Sequence, residues 1–224
     1  MPERYYPIFL NIEGFSCVVI GGGGVAERKV RQVVAAGAKV RVVSPRLTDA
    51  LKTWVRQGRL QWWKRLYRRG DLRGARLVFA ATNNPQVHAK ILEEARKEGV
   101  WLNAVDDPQH CDFVVPSMVH RGNLTIAIST QGLSPALSKK IRKDLENQFG
   151  PEYEIFLQLL GTLRQRRLPK GRGQKIRSER LSALVNSPAL DWIRKRDGLS
   201  LHRALGKLFE KGITLGDLGI ELRA

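Results

Sequence analysis

A chain of 224 residues, 42% hydrophobic and 27% charged, has the ordinary composition of a globular protein and enough apolar material for one sizeable core plus a smaller domain. No apolar run approaches membrane-spanning length, the start Met1-Pro2-Glu3-Arg4 lacks the form of a signal peptide, and two separated cysteines, Cys17 and Cys111, speak against a structural disulfide or a zinc site, so a cytoplasmic protein without a metal site is expected. The charge is the unusual number: 39 Lys and Arg against 21 Asp and Glu leave +18, a field that attracts nucleic acid, an anionic membrane surface or a small polyanion alike.

In chain order, Tyr5-Tyr6-Pro7-Ile8-Phe9-Leu10 is an apolar segment expected to pack on a sheet edge. A first strand is expected over 16–20, and it belongs to the stretch around which the rest of the chain is arranged, Cys17 to Lys29, CVVIGGGGVAERK. Gly21, Gly23 and Ala26 form the G-x-G-x-x-A pattern of a dinucleotide-binding turn, the bland alternative being a plain tight strand-to-helix turn. Gly21 permits the turn, Gly23 lets backbone approach a pyrophosphate, and Ala26 lets the helix pack close on the strand. The free N–H groups of the helix's first turn then face the phosphates.

That helix, 25–36, carries Val25, Val30, Val33 and Val34 on roughly one face and ends at Gly37. A second strand is expected at 39–43, closed by Ser44-Pro45, then a helix at 48–57 with Leu51, Trp54 and Val55 as its buried stripe, and a third strand at 60–64. After the polar connection 68–74, the apolar 77–81 reads as a fourth strand, Asn84-Pro85 as cap and first turn of a helix to Glu98, and 100–105 as a fifth strand. Strand and helix alternating at this spacing argue an α/β fold with a Rossmann-like, doubly wound parallel sheet.

The pattern changes at Asp106. Short β runs are expected at 113–115, 117–121 and 124–129, with Arg121-Gly122-Asn123 as a hairpin turn. Ser134-Pro135 caps a helix with Leu137, Ile141 and Leu145 at four-residue spacing, and the chain is helical in flavour thereafter. The basic stretch 164–180 reads as a mobile linker or an exposed helix end; Ser187-Pro188 starts a further helix and another is expected around 201–210. The expected division is a dinucleotide-binding domain over 1–112, a small β plus helix unit over 113–150 and a helical C-terminal domain over 151–224.

Six segments in order carry a resemblance: Pro7-Ile8-Phe9-Leu10, 19–29, Ala80-Ala81-Thr82-Asn83, Asn103-Ala104-Val105-Asp106, Phe113-Val114-Val115-Pro116-Ser117 and 129–135. Over roughly 5–150 the chain resembles the precorrin-2 dehydrogenase family, the enzymes of siroheme biosynthesis that also form the N-terminal part of bifunctional or trifunctional siroheme synthases. The resemblance implies NAD-dependent oxidation of precorrin-2 to sirohydrochlorin, in some members followed by insertion of ferrous iron. It also implies a homodimer whose β segments and following helices cross between subunits, which makes 113–150 a dimerisation segment. The substrate comes from the resemblance, since periodicity does not identify a tetrapyrrole.

The residue chemistry agrees with that reading. A polycarboxylated tetrapyrrole gives a chain of charge +18 a reason to be basic without nucleic acid or a membrane. Asp106, just beyond the carboxyl end of an expected central strand, matches the family's aspartate and is assigned to catalysis, accepting the proton lost with the hydride or orienting the macrocycle; adjacent Asp107 fits a turn residue better. The cofactor is expected at Gly21, Gly22, Gly23, Gly24, Val25 and Ala26, with Ser44, Pro45, Thr82, Asn83, Asn103 and Val105 lining its cleft. Ser117, Arg121, Thr130, Gln131 and Lys139 are assigned to the substrate, with Lys140, Arg142 and Lys143 on the same helix.

Strand two ends Val43-Ser44-Pro45-Arg46, without the acid that binds ribose hydroxyls; Arg46 offers a place for a 2′-phosphate, so NADP stays open beside NAD. His88, His110, His120 and His202 are scattered. Two other classes compete: an NAD-sensing regulatory domain that turns over nothing, and a basic nucleic-acid-binding protein, for which no recognition module is present.

Overall fold

The computed structural model describes residues 5–105, 107–165, 173–209 and 214–220, and the chain divides into two units between Val115 and Pro116. In the first unit, β1 (Ser16–Ile20), β2 (Lys39–Val43), β3 (Gln61–Trp63), β4 (Leu77–Ala80) and β5 (Trp101–Ala104) form one parallel sheet in the order β3-β2-β1-β4-β5. The chain leaves β1 first toward β2 and β3, then crosses back to β4 and β5. The crevice outside the carboxyl ends of β1 and β4 is therefore the point where the winding reverses, the place where open α/β sheets bind ligands.

The strands form here because they are apolar on both faces. Val18, Val19, Val78 and Phe79 are all but inaccessible, as strands covered by helices on two sides must be. Val19, Val42 and Phe79 join a core with Ala26 and Val30 of α1 (Gly24–Ala35) and Leu51 of α2 (Asp49–Arg56). Val18, Ile20, Val78 and Ala80 pack on the opposite face against Ile91 and Ala95 of α3 (Pro85–Glu98). Local chemistry sets the helix ends. Thr48 Oγ1 accepts the Leu51 N–H (3.3 Å) to start α2, Asn84 Oδ1 accepts the Val87 N–H (3.1 Å) to start α3, and left-handed Gly99 ends α3.

No helix joins β3 to β4. The connection is instead a loop held by two buried carboxylates. Asp71 takes the Arg65 guanidinium on both oxygens (2.7 Å each) and the Arg68 N–H (2.8 Å). Glu94, reaching from α3, accepts the N–H groups of Gly70 (3.0 Å) and Leu72 (2.9 Å) and the Tyr67 hydroxyl. Glu94→Ala strands two backbone donors, and an expected loss of about 3 kcal/mol is read from the urea unfolding midpoint; an unchanged midpoint would remove Glu94 as the pin.

Burial pushes the Asp71 carboxyl up, but Arg65 and the Arg68 N–H outweigh it and leave its pKa below the ordinary value. A depressed folded pKa gives stability that is complete at neutral pH and lost as pH falls through the carboxylate range toward that lower value. The acid unfolding limb of Asp71→Asn is expected to be shallower than that of the unmodified chain.

Two expectations for this unit change. The apolar start does not pack on a sheet edge, since Tyr6 is 86% and Phe9 76% exposed. It leads into the central strand, whose two ladders are already taken by β2 and β4. Residues 113–115 form no strand. The Asp112 N–H donates to Leu102 O (2.9 Å), but Asn103 Nδ2 then claims the Phe113 carbonyl (2.9 Å) that a ladder would have used. Phe113 lies edge-on to Phe79 at 5.5 Å, so the segment is a strap across the sheet face.

The second unit begins with an antiparallel hairpin, β6 (Ser117–Arg121) and β7 (Leu124–Ile128), turned at left-handed Gly122. Ser134 Oγ accepts the Leu137 N–H (3.2 Å) and starts α4 (Pro135–Gln148). Helices α5 (Glu152–Gln165), α6 (Gly173–Val185), α7 (Ala189–Arg194) and α8 (Gly198–Leu208) then enclose a core of Phe156, Leu159, Leu163, Leu184, Leu201 and Leu205. Of the basic stretch, 164–165 end α5 and 173–180 belong to α6, while 166–172, where the linker reading falls, lie outside the described residues. The last long helix starts before the expected 201, because the Asp197 carboxylate accepts the Ser200 N–H (3.0 Å). No helix among the described residues is long and apolar enough to cross a membrane.

Candidate active site

The glycine turn is built by its neighbours' backbones. At the end of β1 the Gly21 N–H donates to Val43 O (3.0 Å) at the end of β2, and the Ala81 N–H donates to Ile20 O (2.8 Å) beyond β4. Gly21 has φ +121°, and a Cβ there would lie 2.1 Å from Ala81 O. A Cβ on Gly22 would lie 2.0 Å from Arg46 O and 2.8 Å from Ser44 Oγ. Glycine is required at both positions by contact with carbonyl groups, whatever the turn binds.

The next two glycines differ. Among the described residues, a Cβ on Gly23 or Gly24 would meet nothing within 4 Å, and Gly23 starts α1 with no side-chain cap. An open approach over uncapped first-turn N–H groups is the cradle that a pyrophosphate fits. Val25 is 39% exposed at its mouth, while Ala26 is fully buried and lets α1 close on the sheet.

The other cofactor-assigned residues stand on the same edge of the sheet, with different freedoms. Ser44 is buried, donating its hydroxyl to Arg46 O (2.7 Å) while its carbonyl accepts Trp62 Nε1 (2.8 Å), and Pro45 beside it is exposed. Thr82 Oγ1 accepts the Asn84 N–H (3.3 Å), and Asn83 is exposed. The Val105 N–H donates to Ala80 O (3.0 Å). Asn103 is buried, and its amide is committed to Phe113 O and, at 3.7 Å, to Cys111 Sγ.

Asp106 lies outside the described residues. Its neighbour Asp107 gathers two histidines that sequence spacing left scattered: His110 Nδ1 stands 2.7 Å and His88 Nε2 3.2 Å from the carboxylate. These imidazoles, His110 foremost, hold the Asp107 carboxyl below the usual range. The His110 contact had a local signal, three residues along a turn opened by Pro108. The His88 contact had none, because it comes from α3.

In the second unit the basic residues are not equivalent. Arg121 donates to Phe149 O (2.7 Å), Glu146 O (2.9 Å) and His120 O (2.8 Å), so its guanidinium closes the carboxyl end of α4. Arg142 pairs with Glu146, and Lys140 stands 3.5 Å from Asp144. Lys139 is exposed. Thr130 Oγ1 bonds Ser134 O (3.1 Å) and Ser138 Oγ (2.9 Å), which folds the loop before α4 so that left-handed Gln131 is exposed at its tip. Ser117 is half-buried at the start of β6, opposite Ile128. Among the described residues no group of three or more His, Cys, Asp or Glu is placed to hold a metal ion.

Comparison with known proteins places this arrangement. Residues 8–117 match the family described as "Putative NAD(P)-binding", and 121–148 match "Sirohaem biosynthesis protein central". The siroheme synthase of Azotobacter vinelandii is 32% identical over 225 residues, covering 95% of this chain and 48% of the relative. That of Nitrosococcus oceani is 36% identical over 163 residues, covering 73% and 35%. The chain spans about a third to a half of the length of these curated relatives. A solved structure titled "SirC, precorrin-2 dehydrogenase" has the same fold, with a TM-score of 0.76 over 91% of this chain and 98% of its own at 24% identity. The chain thus joins, in order, a segment similar to that NAD(P)-binding family, folded as the parallel sheet wound in both directions, to a segment similar to the sirohaem biosynthesis central family.

Proposed function

We propose that the chain is a cytoplasmic dehydrogenase that oxidises precorrin-2 to sirohydrochlorin, with NAD as the hydride acceptor. The observation that carries this reading is the open, uncapped glycine turn at the reversal of the sheet, followed in one chain by the sirohaem central segment. Bound NAD supplies the nicotinamide ring that takes up a hydride. The protein's own part is to hold the pyrophosphate on the N–H groups of Gly23 to Ala26, and to remove the proton that leaves with the hydride. One hydride to NAD and one proton to a base balance the conversion. Asp106 is the base, and Asp107 anchors the segment that carries it through His88 and His110. Lys139 and the exposed Gln131 are offered to substrate carboxylates. In an iron-insertion step, Asp106 would equally remove pyrrole protons as ferrous iron enters.

The working unit in this reading is a homodimer. The hairpin and α4 together fully bury only Val119 among their apolar side chains, and a two-stranded ribbon is at best marginally stable alone. Leu133 (87%) and Leu137 (48%) are exposed on that segment, and a second copy would cover them. Leu137→Asp is expected to shift sedimentation from dimer to monomer, with an unchanged dimer placing the interface elsewhere.

The function is tested by making precorrin-2 in situ under anaerobic conditions, adding NAD without metal, and following the absorbance of sirohydrochlorin. Turnover supports the dehydrogenase. Tight NAD binding without turnover would instead favour a nucleotide-sensing domain, and ferrous iron added afterwards tests chelation separately.

A further inference from the structure

The nucleotide site lacks an acid where a dinucleotide fold ordinarily keeps one. At the carboxyl end of β2 an Asp or Glu usually binds the hydroxyls of the adenine-side ribose, and its charge repels a phosphate on the 2′ position. Here the strand ends Val43-Ser44-Pro45-Arg46. This turn is held against the glycine turn, because the Thr48 N–H donates to Gly22 O (3.0 Å) and Arg46 O sits 2.0 Å from where a Gly22 Cβ would stand. Ser44 has already given its hydroxyl hydrogen to Arg46 O, and Pro45 has no N–H to give. Asp49, the next carboxylate along the chain, is engaged by Lys52 (2.9 Å).

The Arg46 side chain differs from its neighbours. It is exposed, and among the described residues its guanidinium makes no hydrogen bond or ion pair. Among the described residues, the turn after β2 therefore carries an exposed Arg46 whose guanidinium has no partner, and residues 43–46 carry no carboxylate. We propose that this turn admits a 2′-phosphate, so that the chain binds NADP as well as NAD, and that Arg46 is the residue that reads the phosphate. The inference rests on the dinucleotide reading of the glycine turn. A guanidinium suits the task because its fixed fork of donors matches phosphate oxygens, and the net charge of +18 adds to the attraction.

The test is nucleotide binding by the intact chain, measured by calorimetric titration with NAD and with NADP at low and high salt, for the unmodified chain, Arg46→Ala and Arg46→Glu. Thermal unfolding checks that the exposed substitutions leave the fold intact. NADP is expected to bind within about thirtyfold of NAD. Arg46→Ala is expected to weaken NADP about tenfold and NAD less than about threefold, with Arg46→Glu weakening NADP about a hundredfold. Salt should weaken NADP more steeply than NAD, and Arg46→Ala should remove that difference. NADP weaker than NAD by more than about thirtyfold in the unmodified chain would overturn the proposal, as would NADP binding that neither substitution changes. Failure of both nucleotides to bind would instead overturn the dinucleotide reading, and this inference with it.

Discussion

Gly22→Ala is expected to lower stability by about 3 kcal/mol or more and to abolish nucleotide binding with it, while Gly23→Ala stays within about 1 kcal/mol of the unmodified chain and loses only nucleotide affinity, at least about tenfold. The two residues are adjacent and chemically identical, so composition offers no reason for the difference. Geometry does. A methyl on Gly22 would overlap Arg46 O, a backbone atom that accepts the Ser44 hydroxyl while the Thr48 N–H ties the same turn to Gly22 O, and no side-chain rotation relieves that overlap. A methyl on Gly23 enters open space, at a φ of −85° that alanine adopts freely, but that space is where a pyrophosphate would lie. Urea unfolding and calorimetric titration of both variants decide the matter. Equal stability losses would mean that the carbonyl contact yields, and full nucleotide affinity in Gly23→Ala would move the phosphates off this turn.

Asp106→Ala is expected to fold, to bind NAD within about threefold of the unmodified affinity, and to lose precorrin-2 turnover by a factor of about 10² to 10⁴, the range that a positioned proton acceptor supplies. Two adjacent carboxylates compete for the role, and their partners separate them. Asp107 is engaged by His110 and His88, and its pKa is depressed, which makes it the weaker base and the better anchor. Asp107→Asn is therefore expected to retain most turnover. Near-normal turnover in Asp106→Ala, or a larger loss in Asp107→Asn than in Asp106→Ala, would reverse the assignment.

What the sequence makes legible here is what local physics decides. The strand over Val18, Val19 and Ile20, the apolar run at β4, the Asn84-Pro85 start of α3 and the small residue at Ala26 each carry a signal within a few positions. Long-range partners carry no such signal. Nothing around Glu94 marks it as the carboxylate that holds Gly70 and Leu72, so the connection 68–74 reads only as polar. Arg121 looks like a free cation in a basic segment, yet its donors are used by carbonyls 25 and 28 residues away. The apolar residues 113–115 look like a strand because the competing donor, Asn103, lies in another element. At the candidate site the pattern Gly21, Gly23 and Ala26 was legible, but not the requirement for glycine at 22, which comes from Arg46 O in the turn after β2. Nor was the convergence of His88 on Asp107 legible, since it depends on how α3 lies over the end of β5.

The glycine turn also bears on how fast a nucleotide is captured. Gly21 and Gly22 are wedged between the carbonyls of Ala81 and Arg46, and hydrogen bonds from Gly21, Ala81 and Thr48 hold the wedge from three sides. A receptacle fixed in this way has little shape left to find when its ligand arrives, so little ordering entropy is spent at the moment of capture. Stopped-flow association should then follow a single exponential whose rate rises linearly with nucleotide concentration. The plateau that marks a slow rearrangement before or after the encounter should be missing.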